Sequence, residues 1–319
     1  MPDIDVGDAA MAGWRLIGRH PLAAIIWGSA MAVLVAVVLL LFGGAIVGAI
    51  AAIVASGATP NPPAQVVMGL LGSLFGLIVL LVFGGQILEV VIRAAVLRAE
   101  LDPGQRGFAY LRFGGQELWL IATSVVFWFV LFAANFAMSI PLAIVSMAGA
   151  LGAAASTTSN GVPDLGAMTG MLGVRAIGQL VIVAVSVWLW LKLCFGVVLT
   201  YRERQFRLFE SWAATRGHVL KMFLTLLLVV LMLLAVFLVL GAICLLVAGA
   251  SVAAVAAGNW QALMQRPPQM IATALAPLAV VVLVMIAVNV SLGNALVWGA
   301  VARMWAQLNP DADAPAAFN

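Results

Sequence analysis

Six long apolar runs divide this chain, and they come in pairs. They cover residues 21–56, 65–97, 117–150, 174–200, 219–256 and 270–304. Each exceeds the roughly 20 mostly apolar residues that carry a helix across a bilayer. No charged residue occurs between Arg19 and Glu89, between Glu117 and Asp164, or between Lys221 and Arg266. Segments rich in Gly, Pro, Ser and Asn break the pairs at 56–63, 156–164 and 266–268, and such clusters mark turns. Polar connectors at 101–107 and 201–217 separate one pair from the next. The pattern predicts three transmembrane hairpins.

The same short signature precedes each hairpin: an aromatic, five residues, a polar side chain, one residue, then leucine. Its copies are Trp14/His20/Leu22, Tyr110/Gln116/Leu118 and Trp212/His218/Leu220. In 203–217, Phe206, Phe209 and Ala213 fall on one helical face beside Trp212, while Glu203, Arg204, Arg207 and Glu210 supply the polar one. Near the start, Val6, Ala10, Trp14 and Ile17 form an apolar stripe. There, Asp5 and Asp8 lead and Arg15 and Arg19 follow, matching the helix dipole. The expected fold is all-α: a polytopic membrane bundle of six transmembrane helices, built as three repeats of an interfacial amphipathic helix plus a transmembrane hairpin. Its units are about 5–100, 106–202 and 203–306, within one transmembrane domain, 1–306, with a disordered tail at 307–319. Trp14, His20, Tyr110, Gln116, Trp212 and His218 become the candidate interfacial anchors, since amphipathic rings settle at headgroup depth.

Composition agrees. Hydrophobic residues make up 65% of the 319 positions and charged ones 8%, against about 45–50% and 25% in soluble domains. Basic residues flank the spans. Arg15, Arg19, Arg93, Arg98, Arg106, Arg112, Arg202, Arg204, Arg207, Arg216, Lys221 and Arg303 fall on one side, and Arg175 and Arg266 on the other. Such an excess marks the cytoplasmic side, so both termini are expected there, with the hairpin turns in the periplasm. The net charge of +3 is then a matter of topology, and no nucleic-acid partner is expected. The arginine-over-lysine bias, with abundant alanine and glycine, suits a GC-rich bacterial genome and an inner membrane. The first residues lack the basic n-region of a secretory signal, so span one is expected to act as an uncleaved insertion signal.

Small residues crowd the outer halves of the odd spans, as in 44–49, 146–152 and 248–253. Such stretches let helix backbones approach closely in lipid. Tight packing is therefore expected at the periplasmic ends, with the helices splayed toward the cytoplasm.

Few groups could carry chemistry. Glu89 stands nine residues before Arg98, Lys192 ten before Arg202, and Asn294 nine before Arg303. With Arg93 they form a candidate intramembrane polar cluster. Its alternatives are an interhelical staple, as a Glu89–Lys192 bridge or an i,i+4 Glu89–Arg93 pair, and a substrate or proton site. Asn135 and Asn289 are expected to make interhelical hydrogen bonds. His20 and His218 occupy equivalent boundary positions, a placement that suits polar anchors rather than haem ligands. Two cysteines, Cys194 and Cys244, form neither a metal site nor a disulfide. No phosphate loop, zinc helix or nucleophile elbow occurs, so neither enzyme activity nor a cofactor is expected.

The segment Phe209–His218 contains Trp212, Thr215, Arg216 and Gly217 as Trp-x-x-Thr-Arg-Gly before a span. With the three-hairpin pattern, it resembles bacterial six-span membrane proteins of unknown function and the membrane domain of glycerophosphodiester phosphodiesterases. No phosphodiesterase domain is present, so the resemblance implies architecture rather than hydrolysis. The functional expectation is a non-enzymatic scaffold or lipid-interacting protein, with membrane lipids (anionic ones among them) and membrane proteins as partners. The alternative is a transporter of a small or amphiphilic solute through the Glu/Arg/Lys cluster.

Overall fold

Asp5 starts the first helix. Its side chain accepts from Asp8 N–H at 3.0 Å, satisfying one of the donors that a helix start leaves open. Helix α1 (Val6–Arg19) ends where His20 turns non-helical, at φ −134° and ψ 57°. Pro21 disfavours a helical residue before it and is itself preformed for a first turn, so α2 (Pro21–Ala55) begins at once. The following elements are α3 (Ala64–Val79), a π turn (Leu80–Gly84), α4 (Gly85–Leu101), a 3-10 turn (Phe108–Tyr110) and α5 (Gly115–Ala155). The chain continues with α6 (Leu165–Glu203), α7 (Ser211–Ala214), α8 (Val219–Ala256) and α9 (Pro268–Leu308). This computed structural model describes residues 3–55, 64–102, 104, 108–111, 114–155, 165–256 and 268–310. The hairpin turns at 56–63 and 156–164, Arg266 with most of the third turn, Arg106, Arg112 and the tail beyond 310 lie outside the described residues.

All regular structure among the described residues is helical, and six helices are long and apolar enough to cross a membrane. The chain is an all-α, multi-pass membrane protein. Helices of 35 to 41 residues are about 52–61 Å long. That exceeds the ~30 Å hydrocarbon layer even at a 40° tilt, so part of each helix stands outside it.

The described residues form two compact units. The first comprises 1–117 with 224–319, and the second 118–223. In the first unit α9 is the spine, packed along α1, α2 and α4. A Cβ on Gly28 would meet Ala287 O at 2.2 Å, and one on Gly13 would meet Leu296 Cα at 2.4 Å. These two glycines let α2 and α1 touch the backbone of α9 directly. Ser291 Oγ donates to Ala24 O at 2.7 Å nearby. Asp8 meets Arg303 and Asp5 meets Gln307, so α1 runs antiparallel along the last turns of α9. The helix expected to lie at the interface therefore packs into the bundle. It buries Ala9, Ala10, Ala12, Gly13 and Leu16, because small residues on that face admit a neighbouring helix. Helix α9 accordingly continues through Leu308, into the segment expected to be tail.

In the second unit, Phe127 and Leu131 of α5 pack with Leu193 of α6 and Leu208 of the connector. A Cβ on Gly196 would meet Leu208 Cα at 2.7 Å, so the connector folds back onto the end of α6. Thr200 Oγ1 accepts from Thr123 Oγ1 and from the Arg207 N–H, both at 3.2 Å. Ser186 Oγ donates to Asn135 Oδ1 at 3.1 Å, an interhelical bond of the kind expected of Asn135. The amphipathic helix expected over 203–217 is instead the single turn α7. Arg204 at φ 54° and Gly217 at φ 81° take left-handed conformations that interrupt a helix.

Among the described residues, burial within each unit is densest away from the small-residue stretches. The buried stretches are 90–99 of α4 and 294–302 of α9 in the first unit, with 191–198 of α6 in the second. By contrast, Gly43, Gly44, Gly48, Gly152 and Gly249 have no neighbour within 4 Å of a Cβ position. Small residues permit close approach without enforcing it. The contacts form where the connectors and α1 add material around the helix ends.

Candidate functional site

Two polar constellations stand out, one in each unit. In the first, Arg93 Nη2 bonds Glu89 Oε1 at 3.0 Å, an i,i+4 pair on α4. The arginine is 3% exposed and the glutamate 31%. The Arg93 guanidinium also stacks 4.2 Å from the Trp298 ring centroid, within cation–π range. One turn earlier on α9, buried Asn294 donates to Val290 O at 3.0 Å. Its Oδ1 is buried without a hydrogen-bond partner among the described residues. The Glu89–Arg93 pairing, one of the alternatives raised from the sequence, is thus present. Trp298 was not singled out; its position i+4 from Asn294 was the available signal.

A second ion pair in this unit is more deeply buried. Arg98, 4% exposed, pairs with Glu117, 2% exposed, and donates to Tyr110 O as well. Trp27 Nε1 donates to Ala109 O at 2.9 Å. Together they hold Ala109 and Tyr110 at φ 50° and 59°, conformations that cost roughly 1–2 kcal/mol per non-glycine residue. The Tyr110 ring meets His20 edge-on at 5.2 Å, with its hydroxyl 3.4 Å from Nε2. Two anchors from different copies of the signature thus touch each other. Trp14 is half-buried against Ala10, Val229, Leu296 and Ala300, and Gln116 is half-buried as well.

Asp8 ties α1 to α9. It takes Arg303 Nε and Arg15 Nη1, each at 2.7 Å, and Gln307 Nε2 at 2.9 Å. Burial pushes its carboxyl up, but the bonds and charges of Arg303 and Arg15 outweigh that. The net effect holds it below the ordinary 3.8.

In the second unit Lys192 is 8% exposed. Its Nζ lies 5.6 Å from the Trp212 ring centroid. Trp212 meets Trp188 edge-on at 5.2 Å, and Ser211 Oγ donates to Lys192 O at 2.7 Å. Lys192 makes no ion pair among the described residues. Arg207 pairs with both connector acids, Glu203 at 2.9 Å and Glu210. The Glu210 hydrogen bond, then the two negative charges, raise its guanidinium above the usual value. Arg204, Arg216 and Trp212 remain exposed and His218 half-buried.

Phe127 and Leu131 of α5 and Leu208 and Ser211 of the connector pack where α6 is buried, from Leu191 to Val198, while Leu180, Val183, Val187 and Trp188 are exposed. The exposed apolar stripe of α6 ends close to Lys192. No family model, curated protein or solved structure matches the chain.

Proposed function

We propose that this chain is a non-enzymatic protein of a bacterial inner membrane, with both termini cytoplasmic, that acts as a lipid-interacting scaffold. The observation that carries this reading is the treatment of charge in the 202–221 connector. Arg207 occupies both acids, Glu203 and Glu210. Arg204 and Arg216 then carry positive charge with no ion pair among the described residues, beside the exposed Phe209 and Trp212 rings. Basic residues next to interfacial aromatics attract anionic headgroups, at about 1 kcal/mol for each cation near the surface. The likeness of 209–218 to six-span bacterial membrane proteins belongs to the same proposal, and Gly217 gains a reason there: φ 81° is open to glycine at no steric cost.

The purified protein tests this directly. Its thermal unfolding should shift upward in bilayers containing phosphatidylglycerol relative to phosphatidylcholine alone, and the difference should shrink at 0.5 M salt. Equal stability in the two bilayers would overturn the reading. Membrane-protein partners would dock on the same cytoplasmic face.

A second reading, transport of a small solute, is favoured by one observation. Asn294 keeps a buried acceptor oxygen without a partner among the described residues, on the helix that also carries the Trp298 stack on Arg93, and Arg93 pairs with the partly exposed Glu89. Solute flux into proteoliposomes that disappears in Asn294→Leu would support it.

A further inference from the structure

An open apolar groove of about 670 Å³ runs along the second unit, between α6 and the first turn of α8. Its volume falls in the range of small-molecule sites. One wall is a stripe of α6, from Leu180 through Ala184 and Val187 to Leu191. The eleven steps from Leu180 to Leu191 span about 16 Å along the helix, the reach of an extended acyl chain of a dozen or so carbons. Leu220 and Phe223 of α8 form the opposite wall. The α6 wall is followed by a lysine: Lys192 comes directly after Leu191. Trp188, which lines the groove, leans on Trp212, whose ring lies under the Lys192 ammonium. A cation nine-tenths buried, with no acid beside it among the described residues, is costly unless an anion completes it.

The geometry points to a bound anionic glycerophospholipid, with one acyl chain in the α6–α8 groove and its phosphate on Lys192 at the groove mouth. This rests on the lipid-scaffold reading and narrows it to one site and one headgroup charge. Three features select this occupant. The groove is lined by apolar side chains and open along its side, so a chain can enter from the bilayer. Trp188 lines its connector end, and Lys192 stands one residue beyond the lining Leu191. The connector around that end carries Arg202, Arg204, Arg207, Arg216 and Lys221 against Glu203 and Glu210. That makes five cations against two acids, an excess of three.

Native mass spectrometry of the full-length protein from phosphatidylglycerol/phosphatidylcholine nanodiscs tests the assignment. Wild type should retain phosphatidylglycerol preferentially. Lys192→Gln should weaken that retention about fivefold, the worth of one cation at an anionic surface, and Lys192→Arg should restore it. Ala184→Trp, at an exposed groove position, should fill the groove and lower retention with no change in helix content by circular dichroism. Preferential retention that ignores both Lys192→Gln and Ala184→Trp would overturn this site and leave the general lipid reading standing. No preference in wild type would overturn both. Inorganic phosphate protecting the fold as well as the lipid does would remove the acyl chain from the proposal.

Discussion

Removing Glu117 tests whether a buried pair holds the α4–α5 connection. Its carboxylate and the Arg98 guanidinium are 2% and 4% exposed. Glu117→Leu leaves a guanidinium charge in place with only Tyr110 O to receive it. Breaking one side of such a pair costs about 3–5 kcal/mol, because the remaining charge is uncompensated. Arg98→Met should cost a similar amount and also release the Tyr110 carbonyl. The double variant removes both charges together. Its remaining cost is the lost hydrogen bond to Tyr110, about 1.5–3 kcal/mol for a charged donor, offset in part as Ala109 and Tyr110 relax. The two single changes should thus sum to at least ~3 kcal/mol more than the double one. Denaturant unfolding in mild detergent, followed by circular dichroism, measures all four corners of the cycle. The internal control is Arg207→Gln, which breaks exposed pairs and should cost no more than ~1 kcal/mol. Additive single effects, or a Glu117→Leu cost as small as the control, would refute the reasoning.

Gly28→Ala should destabilise by about 1–3 kcal/mol, since its Cβ would lie 2.2 Å from Ala287 O and backbone cannot yield; Gly43→Ala, facing open space, should be neutral in the same melt. Ser186→Ala should cost about 0.6 kcal/mol, the typical interhelical hydrogen bond in a membrane, and a cost above 2 kcal/mol would assign Ser186 a larger role than its bond to Asn135. The Asp8 carboxyl is depressed in the folded state. Its contribution is therefore complete above its unfolded value near 3.8 and lost as pH falls through the lower folded value. Melting temperature should drop below about pH 4, and Asp8→Asn should flatten that drop; a melting temperature that rises on acidification would contradict it.

The spans were legible because an uninterrupted apolar run has one stable outcome in lipid, where the backbone must satisfy itself. The α2 and α8 boundaries, 21–55 and 219–256, differ from the expected 21–56 and 219–256 by one residue at most. What misled was amphipathicity. The stripe on α1 suits an interface or a helix partner equally well, and only the facing Gly299 and Leu296 decide between them. The 203–217 stretch has helical periodicity, yet tertiary contacts override it: Leu208 covers Gly196, and Ser211 bonds the Lys192 carbonyl. Glu117 stands where the other copies of the signature have Pro21 and Val219, and repeat logic hides a residue that only one copy uses. Its partner Arg98 read as a topology marker, although both are buried.

Helix length links these misreadings to function. When a helix is much longer than the bilayer is thick, a charge some ten residues from its end need not lie in hydrocarbon. Glu89 and Lys192 stand nine and ten residues before Arg98 and Arg202, about 13–15 Å along a helix. Yet Arg98 is itself buried in protein, so it does not mark where lipid begins. The proposed lipid site would set the Lys192 ammonium against a phosphate. In the other unit Arg93 has already been answered by Glu89 and Trp298. Lys192 has the Trp212 ring but no acid paired with it among the described residues, and an anion arriving from the bilayer supplies that charge.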